Sequence, residues 1–195
     1  MTNNDIFRRL RFILNIPDKQ VVKVFALVGV NVMTTKVGAW LKKDDEPGFE
    51  QMPDIALSQF LNGVIIEKRG PSDKVAEAES ELNNNIILRK LRIAFDLKSD
   101  DILEMLEKNN FSLGKSELSA FFRKPDHKHY RVCKSQILRQ VLTVIQKRFA
   151  KEVKGPKKAA KPVKKLTPKQ IYVNPDLKPK EKNGKNTLSL GKGKK

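Results

Sequence analysis

Cysteine is nearly absent from this chain. Cys133 stands alone, so no intramolecular disulfide can brace the fold and a reducing compartment is expected. Long apolar runs are missing too. The longest, residues 21–32, is interrupted by Lys23 and Asn31, well short of the ~20 residues that cross a bilayer. No segment alternates polar and apolar residues for long, so strands are not expected. Met1-Thr2-Asn3-Asn4-Asp5 leads straight into an arginine-bearing helical pattern, with no secretory leader. These absences together predict a cytoplasmic protein with no membrane attachment. Catalytic signatures are lacking as well: no phosphate-cradling glycine loop, no serine or cysteine nucleophile beside a base, no poised pair of carboxylates. A non-enzyme without a cofactor is therefore expected. Acid is the last scarcity, with 22 Asp and Glu against 40 Lys and Arg for a net charge of +18.

What the chain does have is an internal repeat. Shifted by 81 residues it lies over itself: Asn3-Asn4-x-Ile6-x-Arg8-x-Leu10-Arg11 meets Asn84-Asn85-x-Ile87-x-Arg89-x-Leu91-Arg92. In the same register Ala39 meets Ala120, Trp40 meets Phe121, Phe49 meets Tyr130 and Leu57 meets Leu138. A constant offset without gaps marks a tandem duplication. A unit of roughly 65 to 70 residues buries only about 60% of its unfolded surface, so the two units are expected to pack on each other.

Helical spacing of apolar residues then predicts four helices per unit. The first begins at Asn3 or Asn4 as cap and carries Ile6, Phe7, Leu10, Ile13 and Leu14; its twin begins at Asn84 or Asn85. The second follows Pro17 with Val21, Val22, Val24, Phe25 and Val28, and ends at Gly29, where the twin has Asn110. Glycine and asparagine are the residues that most readily adopt a left-handed cap. The third runs from about Thr34 to Lys43 and from about Gly114 to Lys124, burying Val37, Trp40 and Leu41 or Leu118, Phe121 and Phe122. The fourth carries Ile55, Leu57, Phe60, Leu61, Val64 and Ile65, or Ile137, Leu138, Val141, Leu142 and Ile145. The expected architecture is all-α: repeats at 1–69 and 82–153 related by a pseudo-two-fold, a polar linker at 70–81, and a lysine-rich tail at 154–195. The tail has too little apolar surface to offset chain entropy and is expected to be disordered. Within it, Leu166–Leu177 reads as an accidental apolar cluster or a short docking segment.

The paired Asn-Asn-x-Ile-x-Arg-x-Leu-Arg pattern, the loop from Lys42 to Phe49 and its counterpart from Arg123 to Tyr130 resemble the bacterial YehS-like family. That resemblance covers residues 1 to about 150. It implies two copies of one helical domain and brings no functional residues with it.

Function is sought in the charge. Residues 154–195 hold fourteen lysines against Asp176 and Glu181, so twelve of the eighteen excess charges sit in the tail. Lys157, Lys158, Lys161, Lys164 and Lys165 form its densest run. On the first helix of each unit, Arg8, Arg9 and Arg11, or Arg89, Lys90 and Arg92, fall opposite the apolar stripe. Two such faces suit phosphate contact, although a solvated outer face has the same pattern. Phe12 and its counterpart Ile93 lie inside the basic arc, and the aliphatic twin favours packing between the repeats over base stacking.

Other constellations are weaker. A helix-turn-helix at Gly29 places its next buried residue, Val37, too late, and the third helix carries little basic charge. Asp126, His127, His129 and Cys133 would suit a metal on paper, but their counterparts Asp45, Glu46, Gly48 and Met52 do not repeat the set, and Lys128 and Arg131 repel a cation. Asp44, Asp45 and Glu46 read as a solvated loop rather than a magnesium site. The expected function is association with nucleic acid, RNA ahead of DNA, or with a ribonucleoprotein. The alternative is an adaptor that grips a protein partner in a groove between the repeats.

Overall fold

The first helix of each repeat starts where a short polar side chain satisfies a free N–H group of its first turn. In the computed structural model, which describes residues 1–71 and 77–152, α1 (Asn3–Leu14) is capped by Thr2. The Thr2 hydroxyl accepts the Asp5 N–H at 3.2 Å, and the Asp5 carboxylate accepts the Thr2 N–H at 3.0 Å. The equivalent helix of the second repeat, α5 (Asn84–Ala94), is capped by Asn83, which accepts the Ile86 N–H at 2.9 Å. The asparagine pairs expected as caps therefore lie one step inside the helices.

Three helices follow each of these. They are α2 (Asp18–Ala26), α3 (Thr34–Leu41) and α4 (Asp54–Arg69) in the first repeat, and α6 (Ser99–Glu107), α7 (Lys115–Phe121) and α8 (Ser135–Glu152) in the second. No strand occurs among the described residues. The third helices stop two or three residues before Lys43 and Lys124. Gly29 and Asn110 both take positive φ, 77° and 55°, as their equivalence in the two units predicts. Asn15 and Asp96, also equivalent, do the same at 49° and 52°.

Asn4 and Asn85 have a different task from capping. Asn4 is fully buried; its Nδ2 donates to the carbonyls of Trp40 (2.9 Å) and Glu50 (2.8 Å), and its Oδ1 accepts the Met52 N–H (3.0 Å). Asn85 repeats all three bonds on Phe121 (2.9 Å), Arg131 (2.8 Å) and Cys133 (2.9 Å). Asn3 and Asn84 add bonds to the carbonyls of Met52 (3.0 Å) and Cys133 (2.8 Å). Each pair thus ties the loop between the third and fourth helices onto the first, supplying partners to backbone groups that burial would otherwise leave unmet.

The core of the first repeat is aromatic. Phe60 meets Phe7 edge-on at 4.9 Å between ring centroids and Phe25 at 5.7 Å. Here α2 presses on α4 through Gly63: an added Cβ would stand 2.2 Å from the Val24 carbonyl oxygen. Val144 takes that place in the second repeat, and between α6 and α8 lies an open groove of about 560 Å³.

The repeats pack crosswise, α1 against α8 and α4 against α5, so the two repeats form one compact unit. That places α1 and α5 between their own repeat and the other one. Phe12 and Ile93, expected at this junction, are not in it: they are 63% and 47% exposed, because the basic side chains next to them occupy the contact. Ile55, expected on the buried stripe of α4, is also exposed at 44%.

Candidate nucleic-acid interface

The six cations expected on the outer faces of α1 and α5 have separate fates. Arg8 donates to the carbonyl of Lys42, the C-cap of α3, and pairs with Asp5 at 2.7 Å. Arg89 donates to the carbonyl of Phe122, the C-cap of α7, at 3.2 Å. A guanidinium at a helix C-terminus meets both the orphan carbonyl and the negative end of the helix dipole. Arg11 pairs with Asp18 at 2.8 Å, and Arg92 donates to the Leu97 carbonyl at 3.2 Å with its guanidinium 4.8 Å above the Phe122 ring. These four arginines brace their own repeat while remaining partly open to solvent.

Lys90 requires a correction. It is not on an outer face but 6% exposed, inside the α4–α5 contact. Its ammonium donates to Asn62 Oδ1 at 2.5 Å and pairs with the Glu79 carboxylate at 2.8 Å. The helical arc opposite an apolar stripe is solvent-facing only if one side of the helix is covered, and α5 is covered on two. Glu79 belongs to the segment read as a polar linker, whose second half is docked. Ser58 donates its hydroxyl to the Glu79 carboxylate and accepts the Glu79 N–H at 3.0 Å, and the Leu82 N–H donates to Asp54 at 2.8 Å. Burial pushes the Glu79 carboxyl up, but the hydrogen bonds from Lys90 and Ser58 outweigh it and hold it below the ordinary glutamate value.

Arg9, the counterpart of Lys90, reaches across the junction in the same way. It donates to the Thr143 hydroxyl at 2.8 Å and to the Arg139 carbonyl at 3.5 Å on α8. Thr143 and Arg139 are the counterparts of Asn62 and Ser58. No carboxylate pairs with Arg9 or Arg139 among the described residues. Burial and then repulsion by Arg139 lower the Arg9 pKa, with Asp5 acting in the opposite direction. Phe12 is exposed on the same helix, one turn beyond Arg8 and Arg9.

The five tail lysines, Lys157 to Lys165, and the Leu166–Leu177 segment lie outside the described residues. His127 and His129 are exposed on their loop with rings 5.6 Å apart. Cys133 is instead buried in the core, where burial raises its thiol to about 11. Among the described residues no three His, Cys, Asp or Glu side chains group as metal ligands, and no helix is long and apolar enough to cross a membrane. The stretch between α2 and α3 spans residues 27–33, longer than a helix-turn-helix turn of three to four residues.

Fold and site together define a duplicated all-helical protein whose halves are joined by cations reaching across a pseudo-two-fold. The chain belongs to the family described as "Protein of unknown function (DUF1456)", whose model matches residues 3–70 and again 84–148, one match for each repeat. It is similar to "Uncharacterized protein YehS" of Escherichia coli (strain K12), at 46% identity over 144 residues, covering 73% of this chain and 92% of that protein. No solved structure matches it.

Proposed function

We propose that this protein is a non-enzymatic, cytoplasmic nucleic-acid-associated protein that binds RNA or a ribonucleoprotein surface. The observation that carries the proposal is charge placement: twelve of eighteen excess positive charges fall within residues 154–195. Lysines at that density neutralise phosphates without reading sequence and release counterions. The helical body supplies placement. Phe12, 63% exposed and flanked on α1 by Arg8 and Arg9, offers a ring on which an unpaired base can stack beside its phosphate. That pairing of aromatic and cation suits single-stranded RNA better than a DNA duplex, whose bases are already stacked.

A second reading has its own support in the groove between α6 and α8. It is lined by Asp101, Glu104, Lys108, Lys147 and Arg148 around Met105, a mixed-charge rim about an apolar floor that suits a protein partner. Crosslinking and pull-down of the full chain from cells, with and without nuclease, separates the two. Recovery of RNA fragments, and nuclease-sensitive loss of the other captured material, supports the first reading. A specific protein retained after nuclease, and by a chain ending at residue 153, supports the second.

A further inference from the structure

The pseudo-two-fold is broken in the charge at the junction: among the described residues one half pairs its cation with a carboxylate and the other half does not. On one side, Lys90 and Ser58 hold a carboxylate, that of Glu79, delivered by the chain as it leaves the first repeat, while Asn62 accepts a second bond from Lys90. On the other side stand their counterparts Arg9, Thr143 and Arg139. The residue 81 positions after Glu79 is Ala160, which carries no carboxylate. The replacement of Ser58 by Arg139 also adds a cation. The first cradle holds one positive charge against one negative. The second brings the charge of Arg139 close enough to repel that of Arg9, which itself bonds the Arg139 carbonyl and Thr143, with the nearby Asp5 already engaged by Arg8 and the Thr2 N–H.

We infer that Arg9, Arg139 and Thr143 form a seat for an external phosphoryl group, at the position related by the pseudo-two-fold to the Glu79 carboxylate. The internal cradle establishes that this junction accepts an oxyanion between the first helix of one repeat and the fourth helix of the other. Two guanidiniums rather than one ammonium call for a group carrying more charge than a carboxylate. Their planar forks fit the oxygens of a phosphate, and the Thr143 hydroxyl, which donates to the Arg139 carbonyl at 2.8 Å and accepts from Arg9, holds the Arg9 fork in place. Arg139 is exposed and Arg9 half-buried, so the group enters from solvent and stops against α1. This seat stands whether or not the cellular ligand is RNA.

The test is a titration of the full chain with inorganic phosphate at constant ionic strength, followed on the arginine Nε–H resonances. Saturable shifts confined to Arg9 and Arg139 are expected. Arg139→Ser, which restores the residue of the first repeat, should weaken binding roughly tenfold or more by removing a charge-assisted contact. Lys128→Ser, the same loss of charge on an exposed loop, should leave it unchanged. Glu79→Gln should leave the Arg9 shifts intact. Repeating the titration with a short oligonucleotide, with and without a 5′-phosphate, distinguishes sources: preference for the phosphorylated form marks a terminal phosphate, and equal binding marks the backbone. The inference is overturned if Arg139→Ser and Lys128→Ser behave alike, or if shifts spread over all arginines without saturating. It is also overturned if phosphate binds only after Asp176 and Glu181 are neutralised, since the chain's own acids would then be the occupant.

Discussion

Removing the carboxylate of Glu79 tests how the two repeats are joined. In Glu79→Gln the amide oxygen can still accept a hydrogen bond, but the Lys90 ammonium loses its counter-charge and keeps only neutral acceptors such as Asn62 Oδ1 in a site 7% exposed at that side chain. Stripping one partner from a fully buried ion pair costs about 3–5 kcal/mol. The Glu79 side chain is 36% exposed, so water already screens the pair, and a cost of about 2 kcal/mol is expected. Lys90→Met keeps the apolar stem and leaves Glu79 half in solvent, for a loss of about 1 kcal/mol or less. The double variant should match Lys90→Met, giving a coupling energy of about 1.5–2 kcal/mol between sites that touch. For a unit of this size, 2 kcal/mol lowers Tm by roughly 4–8 °C. Denaturant unfolding of all four proteins measures the cycle. If the two single losses simply add to within about 0.5 kcal/mol, Lys90 does not depend on Glu79 and the account of the junction is wrong.

Gly63→Ala should destabilise the chain by about 2–4 kcal/mol, because the new Cβ meets the Val24 carbonyl oxygen at 2.2 Å; thermal unfolding checks this, and a loss under ~0.5 kcal/mol would mean that α2 and α4 are not in such close contact. Asn4→Ala and Asn85→Ala should cost similar amounts, about 3 kcal/mol each, since each leaves two carbonyls and an N–H unpartnered; unequal losses in urea unfolding would deny the asparagines a shared role. Acid should unfold the protein through the carboxylates held low. Asp5 and Glu79 have folded pKa values below 3.8 and 4.5, so their stabilisation is present above those values and is lost as pH falls through the folded ones. Glu79→Gln should shrink the stability gained as pH rises through the carboxylate range, and an unchanged pH profile by calorimetry would contradict the assignment.

The duplication and the helices were legible because they rest on spacing. Equal residues 81 apart and apolar positions at helical period survive any uncertainty about packing. Gly29 and Asn110 were legible for a related reason: two residue types with one conformational habit share one position. Asn4 and Asn85 were misread because asparagine before an apolar stripe resembles a cap. The signal that separates the two roles is their place in the helix, one turn ahead of the buried Phe7 and Leu88, with Thr2 and Asp5 already forming a capping box in the first repeat. The junction was invisible for a deeper reason. A helical wheel assumes one covered face, and nothing local reveals that α1 and α5 are covered on two. Lys90 therefore looked solvent-facing, Phe12 looked buried, and Glu79 looked like linker.

Salt dependence of RNA binding bears most directly on the proposed function. With about six phosphates neutralised, affinity of the full chain for a single-stranded RNA should fall by roughly a thousandfold between about 50 and 200 mM salt. A chain ending at residue 153 should bind weakly with a much shallower slope. Full-length affinity that hardly changes across that range, or that survives loss of the tail, would contradict the account.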